Sequence, residues 1–148
     1  MPNRLMLCAG ITRRDGWKTL DVAGGDYTAK IPPLPKEVMD VPWDEIELIH
    51  GITSFYPWEA AELLQQIWKC LKDAGILVLE QPDFSVAKNR VDWLFGDPGP
   101  MNPDHMNKWA YTPETLSYTL SRAGFNHISY QPARYHVTWR DFRIEAVK

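Results

Sequence analysis

Hydrophobic positions along the chain change period several times, and each change marks an element. "RLMLC" (Arg4 to Cys8) and "KTLDV" (Lys18 to Val22) are short apolar runs, each leading into a small-residue or acidic turn, as strands of a sheet do. "DYTAKI" (Asp26 to Ile31) reads as a third, β-rich strand, and Glu45 to His50 in "WDEIELIHG" as a fourth. The clearest helix starts at Pro57. Its apolar residues Ala60, Leu63, Leu64, Ile67, Trp68 and Leu71 recur at helical spacing, and Gly75 is read as lying just past its end. "ILVLEQ" from Ile76 is a continuous apolar run, as expected of a strand covered on both faces. A second helix is signalled by Thr112 as cap, Pro113 at the first turn, Leu116, Leu120 and Ala123 on one face, and Gly124 at the end. "HISY" and "FRIEAVK" supply two closing strands.

Strands alternating with helices predict an α/β domain spanning residues 1–148 around a mainly parallel sheet, with an antiparallel C-terminal strand. One connection is tight. A parallel crossover usually takes a dozen or more residues, yet "AGITRRDGW" leaves room for about one helical turn between the first two strands. The proline-rich "IPPLPKEVMDVP" and the stretch from Pro82 to Ala110 lack periodicity and are read as loops.

Composition narrows the classes. With 148 residues, 45% hydrophobic and 24% charged, the chain reads as one globular domain. No apolar run approaches a membrane span or a secretory leader, so a cytoplasmic setting without membrane contact is expected. A net charge of -3 argues against a nucleic-acid partner. Two cysteines, Cys8 and Cys70, make no disulfide framework, and no metal-ligand spacing occurs.

Candidate chemistry lies at the predicted carboxyl ends of the strands, where α/β sheets bind ligands. The turn Cys8-Ala9-Gly10 leaves backbone bare at Gly10, and Asp21 can accept hydrogen bonds from a ribose diol. A dinucleotide fingerprint would need glycines where this chain has Cys8 and Arg13, which argues against a nicotinamide cofactor. Asp21 also fits a plain strand-end turn residue, and His50 a core histidine; Asp44 is read as structural.

Five stretches in order resemble one family. "LMLCAG" with "GWKTLDV", "WDEIELIHGITSF", "KCLKDAGILVLEQPDF", "HMNKWAYTPETLSYTLSRAGF" and "DFRIEAVK" are similar to the motifs of small class I S-adenosylmethionine-dependent methyltransferases. The resemblance implies a Rossmann-like fold with helices on both faces and a shortened N-terminal part. It implies S-adenosylmethionine as cofactor, released as S-adenosylhomocysteine, and methyl transfer to a small-molecule or glycan-like acceptor. Ala9 and Gly10 would pass beneath the methionine and ribose, with Cys8 beside them at the substituted first-glycine position of the cofactor turn; Asp21 would hold the ribose, Val22 would pack on adenine, and His50 and Gly51 would border the transferable methyl. His105, Tyr111 and Asp83 are candidates for the general base, and Trp93, Phe95, Trp109 and Tyr111 for an aromatic wall around the acceptor.

Two departures stand out: Cys8 replaces the first glycine, and Lys30 occupies the place of an aspartate near the adenine amine, leaving Asp40 as a substitute acceptor. They leave open an alternative, a noncatalytic module of the same fold. The tryptophan-rich loops and truncated front edge suggest a homodimer.

Overall fold

A computed structural model describes residues 1–87, 90–96 and 106–148. Seven strands form one sheet: β1 (Arg4–Leu7), β2 (Trp17–Asp21), β3 (Tyr27–Thr28), β4 (Trp43–Ile49), β5 (Leu71–Pro82), β6 (His127–Pro132) and β7 (Asp141–Val147), in the order β3-β2-β1-β4-β5-β7-β6. β1 pairs in parallel with both β2 and β4, β4 with β5, and β2 with β3, while β7 runs antiparallel between β5 and β6. The chain order reverses direction at β1, so a crevice opens beyond the carboxyl ends of β1 and β4.

The short first crossover works because β1 is short. Four residues at about 3.3 Å each rise about 13 Å, a gap that residues 8–16 bridge as turns without any helix. Thr12 N–H donates to the Ala9 carbonyl at 2.9 Å, and the Arg13 guanidinium ties the carbonyls of Gly10 and Thr12 at 2.9 and 2.7 Å.

The helices are α1 (Lys36–Met39), α2 (Pro57–Cys70), α3 (Phe84–Ala87), α4 (Val91–Phe95) and α5 (Pro113–Ala123), with a 3-10 turn at Ile52–Ser54. α5 begins as its sequence dictates: Thr112 and Thr115 cap each other reciprocally, and Gly124 closes it at φ +112. α1, α2 and α5 bury Val38, Leu63, Leu64, Ile67, Leu116 and Leu120 in one core with Leu5, Leu7, Leu20, Ile46, Leu48, Leu77, Leu79 and Ile144 from one face of the sheet. None of the described helices is long and apolar enough to cross a membrane.

Several boundaries differ from expectation. The third strand shrinks to Tyr27–Thr28, α1 forms within the proline-rich segment, and α3 and α4 form within the aperiodic stretch. α2 stops at Cys70, because Leu71 is already extended (ψ 141°) and pairs with Trp43. Gly75 is therefore no helix cap. It lies inside β5, where a Cβ would come within 2.8 Å of the Lys72 carbonyl and 3.1 Å of the Trp43 carbonyl.

The opposite sheet face is polar. Arg4 pairs with Glu45 across β1 and β4 at 3.1 Å, and Arg143 lies 3.5 Å from Glu80 and 3.1 Å from Glu145. The segment 133–140 between β6 and β7 folds across this face. Glu80 Oε1 accepts the amides of Arg134 and Tyr135 at 3.0 and 2.7 Å, and the Tyr135 ring stacks under Arg14 at 4.5 Å. Arg14 reaches on to the buried Glu47 at 2.5 Å.

Candidate functional site

At the end of β1, Cys8 turns into the left-handed region at φ +52. Gly10 follows at φ +55, and a Cβ placed on it would find open space for 4 Å around. At the end of the adjacent β4, His50 is also left-handed, at φ +55. Non-glycine residues hold such conformations at a cost of about 1–3 kcal/mol each and cluster at ligand sites. Two of them, side by side at the switch point, mark this end of the sheet.

Asp21 closes the corner. Its Oδ2 accepts the Gly10 amide and its Oδ1 the Val22 amide, both at 2.7 Å. Each carboxylate oxygen keeps a lone pair for a further donor. Val22 is 60% exposed and Ile11 98%, so apolar surface stands open on either side of the bare corner. Gly51 lies beneath, where a Cβ would sit 2.3 Å from Leu48 Cδ1 and 3.2 Å from Cys8 Cβ.

A cleft of about 540 Å³ opens from this corner; Cys8, Ala9, Gly10, Arg14, Glu47 and His50 line it, with Tyr135 and His136 from the β6–β7 segment. His50 Nε2 lies 2.5 Å from Asp141 Oδ2, and Arg140 Nε donates to the other oxygen at 2.7 Å. Burial works against ionisation of Asp141, but hydrogen bonds from His50 and Arg140 outweigh it and hold the carboxyl below the usual carboxylate range. The His136 ring packs on His50 with centroids 4.1 Å apart; burial first, and then the neighbouring His50, push its pKa down. Burial also pushes the Cys8 thiol up to about 12, with Asp21 adding to the shift.

The structure thus brings Cys8, Ala9, Gly10 and His50 to one cleft; Asp21 and Val22 do not line it but join it through the Asp21 bond to the Gly10 amide, and Gly51 packs beneath Cys8. It holds the other candidates elsewhere. Asp83 commits an oxygen to the amide and hydroxyl of Ser85, at 2.9 and 2.6 Å. Tyr111 is buried, and burial pushes its phenol up to about 12, which disfavours the phenolate a base would need. Neither lines the cleft. His105 and the Trp93 side chain lie outside the described residues. Asp40 pairs with Lys36 on α1, and Lys30 is exposed. Among the described residues no cluster suits a metal ion.

A second cleft, of about 370 Å³, is lined by Phe84, Leu94, Phe95, Lys108 and Trp109. The amides of Lys108 and Trp109 donate to the Thr53 carbonyl at 2.7 and 3.3 Å, which anchors this apolar cleft to the turn that follows β4.

Sequence reasoning gives no site role to Asp141, His136 or Glu47. The alternation Glu45-Ile46-Glu47-Leu48 carried a readable signal of a polar sheet face. Asp141 carried none, because its partner lies 91 residues away.

The sequence matches no protein-family model, and no curated protein matches it. Solved structures do. An S-adenosylmethionine-dependent methyltransferase from Archaeoglobus fulgidus superposes with a TM-score of 0.67 at 16% identity, over 99% of this chain and 86% of that one. A candidate O-methyltransferase from Nostoc punctiforme gives 0.64 at 16% identity over 99% of this chain, which spans 52% of that protein's length. Human N-acetylserotonin methyltransferase, solved with S-adenosylmethionine, gives 0.59 at 13% identity over 98% of this chain and 40% of its own. With its strand order, its antiparallel β7 and these neighbours, the chain has the class I S-adenosylmethionine-dependent methyltransferase fold.

Proposed function

We propose that this chain binds S-adenosylmethionine at the Gly10 corner and transfers its methyl group to a small-molecule acceptor. The observation that carries the reading is the Asp21 carboxylate drawn to 2.7 Å from the amide of an unobstructed glycine. A carboxylate with spare lone pairs suits a ribose diol, and the exposed Val22 suits the flat face of adenine. The residues present fit the cofactor. Cys8 favours this reading over a degenerate module, since it adopts the left-handed turn that a glycine would take there.

The cofactor supplies an electrophilic methyl on a sulfonium; the protein supplies position and a dry wall. Asp21 and the Gly10 backbone would hold the sugar of the bound cofactor, and Cys8 and His50 would border its methionine arm. The aromatic cleft at Phe84, Phe95 and Trp109 suits an apolar or planar acceptor, and rings of this kind also stack on sugars.

Incubation with methyl-labelled S-adenosylmethionine and a panel of phenols, amines and sugars tests the proposal. Label is expected on at least one acceptor, with the rate cut more than about tenfold in Asp21→Ala. Cofactor binding without transfer to any member would support the noncatalytic reading instead.

A further inference from the structure

We propose that the aromatic cleft selects an acceptor in which a flat apolar body carries a single negative charge, and that Lys108 supplies the counter-charge. This rests on the methyl-transfer reading above and narrows its acceptor to a chemical class.

The cleft walls are pinned to one another through the main chain. The Asn107 amide donates to the Phe95 carbonyl of α4 at 2.9 Å, and the Tyr111 carbonyl accepts the Phe84 amide at 2.9 Å. Between these ties, Lys108 and Trp109 hang on the Thr53 carbonyl at 2.7 and 3.3 Å. The walls are thus in place before a guest arrives, which spares the cost of ordering them on binding. Thr53 closely follows Gly51 in the turn after β4, so the same turn serves the proposed cofactor site and this cleft.

The lining pairs rings with a cation. Phe84, Phe95 and Trp109 are all exposed and offer faces that a planar guest would cover. Lys108 is the charged residue among the described lining residues. Its ammonium lies 5.2 Å from the centroid of the Tyr56 ring, and Tyr56 in turn stacks on Trp58 with centroids 4.8 Å apart. A ring face attracts the cation and restricts where it sits, without neutralising it.

Carboxylates on the neighbouring elements have other partners. Glu59, in the first turn of α2, accepts the Tyr56 amide at 2.9 Å. Asp83 accepts the Ser85 hydroxyl at 2.6 Å, and Asp92 pairs with Arg90 at 2.7 Å. Among the described residues, none forms an ion pair with Lys108. In a chain of net charge -3, this cleft therefore presents positive charge beside apolar rings. An aromatic carboxylate satisfies both features, with its ring on the aromatic wall and its oxygens on the ammonium. A neutral guest would forgo the second contact, and a cationic one would be repelled. A single ammonium is a point charge, which matches a monoanion.

Titration of benzoate, 3-phenylpropanoate and indole-3-acetate, each against its primary amide, tests this. S-adenosylhomocysteine is present throughout, the tryptophan indole N–H signals are followed by proton–nitrogen NMR, and Trp109→Phe assigns the signal of the cleft. At least one acid is expected to shift that signal and to bind more than about threefold tighter than its amide, as one partly exposed charge pair allows. Lys108→Met should erase the preference by weakening the acid and leaving the amide unchanged, whereas Lys108→Arg should keep it. Equal affinity within every pair, a preference that survives Lys108→Met, or a Trp109 signal indifferent to all three acids overturns the proposal. Wild-type signals that S-adenosylhomocysteine itself leaves unmoved defeat the methyl-transfer reading instead, and the acid–amide comparison is scored separately from that result.

Discussion

The amide of Gly10 donates to Asp21 Oδ2 over 2.7 Å, tying the turn after β1 to the end of β2. That one bond sets the width of the corner and aims the carboxylate along it. The rest of the site is arranged around it: Cys8 and His50 turn left-handed on neighbouring strands, and Gly51 lets the two approach.

Gly51→Ala is expected to destabilise the protein by about 1–3 kcal/mol through overpacking. The new methyl would overlap Leu48 Cδ1 at 2.3 Å and press on Cys8 Cβ at 3.2 Å. Urea denaturation measures it; a change below about 0.5 kcal/mol would mean that Leu48 yields freely.

Alkaline pH should weaken the fold. Burial raises Cys70 from 9.0 to about 11 and Tyr111 from 10.0 to about 12, and Cys8 rises from 9.0 to about 12. The folded chain keeps these protons where the unfolded chain releases them, so their contribution is intact below pH 9 and is lost as pH climbs from 9 to 12. Thermal unfolding between pH 7 and 11 should show a falling Tm, less steep in Cys70→Ala. Alkylation of native protein by iodoacetamide at pH 8 should be slow at both cysteines, and rapid labelling of Cys8 would contradict its placement.

Glu80→Leu is expected to cost about 3–5 kcal/mol, the usual range for removing one member of a buried ion pair. Arg143 keeps Glu145 at 3.1 Å, which favours the lower end. Because Glu80 also holds the Arg134 and Tyr135 amides, hydrogen exchange at those two positions should accelerate in step. Unchanged exchange would show that the β6–β7 segment is held by other contacts.

Much of this was legible in the chain. Local chemistry sufficed for α5, where Thr112, Pro113 and Gly124 each do what their backbone preferences dictate. It sufficed also for the Gly10–Asp21 corner, since small-residue turn and strand-end acid are close in sequence. Gly75 misled because a glycine after a helical stripe signals a cap, whereas here it permits close approach of two strands. The His50–Asp141 pair was out of reach. It depends on β7 pairing antiparallel with β5 in the register that sets Asp141 opposite Pro82, a long-range fact that no local pattern encodes.

Calorimetric titration of S-adenosylhomocysteine into the wild type and Asp21→Ala tests the central claim most directly. The wild type should bind one equivalent, and loss of hydrogen bonds from a charged group, about 1.5–3 kcal/mol, should weaken Asp21→Ala by more than about tenfold. Absence of heat in the wild type, or equal affinity in the two proteins, would contradict the claim that this corner grips the sugar.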